Sequence, residues 1–84
     1  MSKTKKQTQK IHAKIRCWER LGIYISNDVI ERIVKDIQTQ KAIFLERQSN
    51  RITKWKVDIE NIPCIAIYDS NRKTIVTIWR YNEI

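Results

Sequence analysis

The sequence predicts an α+β fold: two N-terminal helices packed on one face of a four-stranded antiparallel sheet, in the order ααββββ. Three observations carry this. Apolar residues recur at helical spacing before about residue 40 and alternate after it. The alternating runs are short and separated by polar turn clusters. The chain, at 84 residues, has room for one core. A domain this small buries a modest share of its surface, so a homodimer is an expected state.

The first ten residues, "MSKTKKQTQK", carry four lysines and no acid. Residues 1–9 therefore read as a basic flexible tail and residues 10–84 as the domain. In 11–21, Ile11, Ile15, Trp18 and Leu21 recur at helical spacing, which directs them to the core, and Gly22 suits a helix stop. "ISND" then offers Ser26 or Asn27 as the N-cap of a second helix, whose apolar face is Val29, Ile30, Ile33, Val34 and Ile37. "KAIFLER", "RITKWKVDI", "IPCIAIYD" and "KTIVTIWRY" are rich in β-branched and aromatic residues, and "QSN", "EN" and "SNR" separate them. Such short connections favour an antiparallel meander. Pro63 falls at the start of its strand, where a missing N–H costs least.

Alternation sorts the strand side chains. Trp55, Val57, Ile59, Ile65, Ile67, Val76 and Ile78 are expected under the helices. Lys54, Lys56, Tyr68, Thr77, Trp79 and Tyr81 then point the other way. That second face mixes cations with aromatics, as in proteins that hold single-stranded RNA with charge on phosphates and rings on unstacked bases. A face that dimerises through its aromatics would carry the same pattern.

The chain has 17 Lys+Arg against 9 Asp+Glu, a formal charge of +8, which favours a polyanionic partner. Half of that charge sits in the first ten residues. Two cysteines, Cys17 and Cys64, with a single histidine give neither a disulfide framework nor a common zinc pattern, so no metal or cofactor is expected. The tail lacks the apolar stretch of a signal peptide, and no segment reaches membrane-spanning length. The chain reads as cytoplasmic and reduced.

His12, Arg16 and Glu19 lie along one flank of the first helix. A histidine there could accept the proton of a ribose 2′-OH while Arg16 stabilises charge on the phosphate. Equally, these residues suit a boundary histidine bonded to a backbone carbonyl, with Arg16 and Glu19 as a solvated pair.

"HAKIRCWERLGI" (His12 to Ile23) resembles the H-A-x-x-R-x-x-E-R-x-G-I opening of a family of small bacterial and phage domains of unknown function. Members share two helices followed by a four-stranded sheet and often end on a strand similar to "VTIWR". The family is grouped with metal-independent ribonucleases and toxins of the RelE, colicin and barnase type. The resemblance implies an endoribonuclease that cleaves RNA by 2′-OH attack on phosphate, with His12, Arg16 and Arg80 as its catalytic residues. It also implies RNA and an acidic cognate inhibitor protein as partners. By alternation Arg80 shares the helix-facing side with Val76 and Ile78, so it could approach the first helix. Lys10, Lys14, Arg20, Lys54, Lys56, Trp79 and Tyr81 are the expected nucleic-acid-binding residues. No second histidine is present to act as general acid. "GIYISND" is also longer than the family's usual link between the helices. The alternative is a non-catalytic phage or mobile-element accessory protein that binds nucleic acid or protein on the same scaffold.

Overall fold

The computed structural model describes residues 5–81. The elements are α1 (Lys5–Leu21), α2 (Asn27–Gln38), β1 (Ile43–Arg47), β2 (Ile52–Ile59), β3 (Ile62–Asp69) and β4 (Thr74–Arg80). The strands form one antiparallel sheet in the order β1-β2-β3-β4, as predicted. Residues 1–4 of the expected tail lie outside the described residues. From Lys5 onward the chain is helical, so α1 begins well before the expected residue 11.

Gly22 ends α1 at φ 69°, with its N–H donating to the Trp18 carbonyl. That left-handed conformation is where glycine costs least. Ser26 caps α2, its hydroxyl accepting from the Val29 N–H at 3.3 Å. Ile30, Ile33, Val34 and Ile37 of α2 are buried as their spacing requires.

The first helix departs from the expected packing. Its buried stripe is Ala13, Cys17 and Leu21, whereas Ile15 is 48% and Trp18 59% exposed. The reason is distance. Of the two helices, α1 lies closer to β4, and only small side chains fit between a helix and a strand at close approach. Ala13 and Cys17, one turn apart and fully buried, supply that fit. The larger Ile11, Ile15 and Trp18 belong to a second stripe that faces away.

The sheet also corrects four placements, those of Ile65, Ile67, Val76 and Tyr68. Ile59 and Ile62 pair across the two-residue turn Glu60–Asn61, whose φ values of 51° and 67° are those of a tight hairpin. Odd-numbered β2 residues therefore face the same way as even-numbered β3 residues. Cys64, Ala66 and Tyr68 join Val57 and Ile59 in the core cluster, while Ile65 and Ile67 lie on the opposite face. On β4 a bulge leaves Val76 unpaired and turns Ile75 and Ile78 inward together. Tyr68 thus faces the helices, and Gln38 Nε2 donates to its hydroxyl at 3.2 Å.

The buried carboxylate of Asp69 fixes where α1 sits. Its Oδ1 accepts the N–H groups of Asn71 and Arg72, and its Oδ2 accepts from Gln9 Nε2 at 3.2 Å and Arg72 Nη1 at 3.0 Å. Arg51 approaches the same oxygen at 3.7 Å. Burial acts to raise this carboxyl, but the hydrogen bonds from Gln9, Arg72 and Asn71 outweigh it and hold the group below its ordinary value.

Two outcomes are expected. Ala13→Leu overfills the α1–β4 contact and costs about 1–3 kcal/mol, while Ile15→Lys stays within about 0.5 kcal/mol; urea unfolding measures both. Asp69 has a depressed folded-state pKa, so its contribution is complete above the unfolded value and is lost as pH falls through the folded one. Urea midpoints should hold down to about pH 4 and then drop. Asp69→Asn should be less stable at neutral pH and lose much of that acid-side slope.

Candidate functional site

Cross-strand pairing builds two side-chain rows on the face away from the helices. One is Ile43, Lys56, Ile65 and Trp79; the next is Glu46, Lys54, Ile67 and Thr77. Tyr81 continues the face, its N–H donating to the Pro63 carbonyl at 3.0 Å. Ile65 and Ile67 are 1% and 5% exposed although neither α1 nor α2 packs on this face. The aliphatic stems of Lys54 and Lys56 and the Trp79 ring flank them and shield them from water.

Charge and rings meet diagonally across these rows. Lys54 Nζ lies 5.5 Å from the Trp79 ring centroid, and Lys56 Nζ lies 5.1 Å from that of Tyr81. Arg20 reaches the same indole from α1, its guanidinium carbon 5.4 Å from the centroid. The helix brings it there because α1 runs parallel to β4. Gln9 meets Asp69, which pairs with Thr74, and eleven helical residues later Arg20 meets Trp79. Eleven helical residues and the five strand residues from Thr74 to Trp79 both span about 16 Å, so the two contacts share one register.

Polar atoms in this region are only partly satisfied. Arg20 Nη1 and Thr77 Oγ1 are buried without a hydrogen-bond partner among the described residues. Lys54 has one carboxylate partner, Glu46, at 3.2 Å. A guanidinium donor, two ammonium groups and two rings therefore converge on one sheet face.

The residues of the suggested catalytic set fall on two elements, His12 and Arg16 on α1 and Arg80 on β4. His12 and Arg16 are exposed on α1, and Arg16 pairs with Glu19 at 3.4 Å. Arg80 is on the helix-facing side as expected, opposite Cys64. His12 is three residues beyond Gln9, whereas Arg80 is six strand residues beyond Thr74, which separates them by about 15 Å along the helix. They also approach α1 from different sides, since the Cys17 stripe lies well around the helix from His12. Of the expected binding residues, Arg20, Lys54, Lys56, Trp79 and Tyr81 come together. Lys10 instead pairs with Glu31 of α2, and Lys14 lies beside Ile15, Trp18 and Tyr24. Thr77 contributes a polar group that alternation had placed on this face without assigning it a role.

No family model, curated protein or solved structure matches the chain.

Under the helices Cys17 and Cys64 are free, buried thiols. Burial, then the neighbouring Cys17, pushes the Cys64 thiol up to about 11, against smaller opposing pulls from the Ile59 backbone and Arg80. Burial, then Glu60, raises Cys17 as well. Because both thiols are buried and their thiolates disfavoured, a thiol reagent should label the native protein only as fast as it opens. Labelling as rapid as in urea would contradict this packing.

Proposed function

We propose that this protein binds single-stranded nucleic acid on its open sheet face and does not cleave it. The observation that carries this reading is the convergence of Arg20, Lys54 and Trp79, with Lys56 and Tyr81 alongside. Three cations held close together repel one another, and a polyphosphate relieves that repulsion while releasing its own counterions.

The rings suit unpaired bases. Trp79 and Tyr81 lie two residues apart along the chain, about 7 Å in extended backbone, so successive splayed nucleotides can meet one ring each. A base arriving on the indole displaces the flexible Lys54 ammonium, which then takes a phosphate. A duplex hides its base faces inside the stack and would engage only the cations.

Fluorescence anisotropy with a labelled oligouridine tests the proposal. Trp79→Ala should weaken binding about tenfold, the usual contribution of a stacked base. Lys54→Ala and Lys56→Ala should each make the salt slope shallower by about 0.7. Glu46→Gln should tighten binding because Lys54 loses its competing carboxylate. His12→Ala should leave both affinity and the intact oligonucleotide unchanged. Unaltered affinity in Trp79→Ala would refute this site. Cyclic-phosphate ends that disappear in His12→Ala would instead establish the ribonuclease.

A further inference from the structure

The outward stripe of α1 follows a coiled-coil pattern. Ile11, Ile15 and Trp18 are spaced by four and then three residues, as at successive d, a and d positions of a heptad. They lie on the side of the helix opposite Ala13 and Cys17, which pack on the protein's own body. Tyr24, 73% exposed, extends the patch beyond the helix end. Lys14, Ile15, Trp18 and Tyr24 line a groove of about 350 Å³. Ile15, Trp18 and Tyr24 together leave roughly 400 Å² exposed, as large as the principal patch of a typical monomer.

The charges beside the stripe identify what covers it. Lys14 immediately precedes the a position and Glu19 immediately follows the d position, which makes them g and e of the heptad. In two parallel helices, g of one contacts e of the other five residues on, and Lys14 and Glu19 are five apart. In two antiparallel helices g meets g and e meets e, which sets lysine against lysine and glutamate against glutamate. We propose that this chain forms a homodimer in which α1 packs against α1 of a second copy in parallel. Ile11, Ile15 and Trp18 form the seam, and Lys14 of each copy pairs with Glu19 of the other.

The geometry allows it. Each body lies behind its own α1, so a two-fold axis along the helices carries the two bodies to opposite sides. The exposed Arg16–Glu19 contact within a chain is weak and leaves Glu19 able to accept from Lys14 of the other copy. The stripe is short and its area is about half that of a standard interface, so the dimer is a weak one.

Sedimentation equilibrium of the full chain, without nucleic acid, over a micromolar-to-millimolar series tests this. The wild type should pass from monomer to dimer. Trp18→Glu should stay monomeric while its circular dichroism and urea midpoint match the wild type. Lys14→Glu and Glu19→Lys should each weaken association about tenfold, and the double variant K14E/E19K should restore it. A wild type of constant monomer mass overturns the proposal. Unchanged association in Trp18→Glu overturns it too and directs attention to the exposed β1 edge. Failure of the double variant to recover rules out the parallel register.

Discussion

A single buried carboxylate organises this small fold. Asp69 is 0% exposed, and an ionised group so placed is tolerable only when its lone pairs are occupied by donors. Those donors come from three separate parts of the chain. The Asn71 and Arg72 amides close the β3–β4 turn, Arg51 approaches from the β1–β2 connection, and Gln9 arrives from α1. Next to it, the Ser70 amide and hydroxyl both donate to the Arg51 carbonyl, which ties the two hairpin ends together. Because Gln9 is spoken for at Asp69, the first helix has little freedom to slide along β4.

That fixed register has consequences at both ends of the sheet. At the β4 side, α1 buries Ala13, Cys17 and, at its end, Leu21, while Ile15 and Trp18 are turned outward. At its far end the same register delivers Arg20 to Trp79. The other edge has no such cover. Every residue of β1 is exposed, including Ile43 at 57% and Phe44 at 50%. Phe44 rests its ring edge-on against Trp55, 5.3 Å between centroids, which shelters one side of the strand and leaves its backbone edge open.

The motif that resembles a ribonuclease-like family reads differently once its residues are placed. Ala13 is the small contact under α1, Gly22 holds the left-handed stop, and Ile23 is buried in the core. Arg20 reaches across to the indole on the open face. These four positions are accounted for by packing and by the proposed binding face. His12, Arg16 and Glu19 remain exposed, and none of them needs to be what it is for the helix to form. The motif is therefore compatible with a scaffold shared by proteins of different activity, which is how folds and functions commonly relate.

The sequence by itself determined the number, order and kind of elements, an N-cap at Ser26 or Asn27, the buried face of α2, and the presence of cations and rings on alternate strand positions. These depend on local periodicity and turn chemistry, which act over a few residues. It also held the β2–β3 register in its two-residue turn, although alternation alone assigned Ile65, Ile67 and Tyr68 to the wrong faces, because β3 is apolar throughout. Only the tertiary structure decided which of the two apolar stripes of α1 is buried. The buried stripe, Ala13, Cys17 and Leu21, meets the sheet along the side from which Gln9 of the same helix reaches Asp69, and Ile15 and Trp18 are left outside. Tertiary packing alone also gathers Arg20 of α1 with Lys54 and Trp79 of the sheet, groups far apart in the sequence.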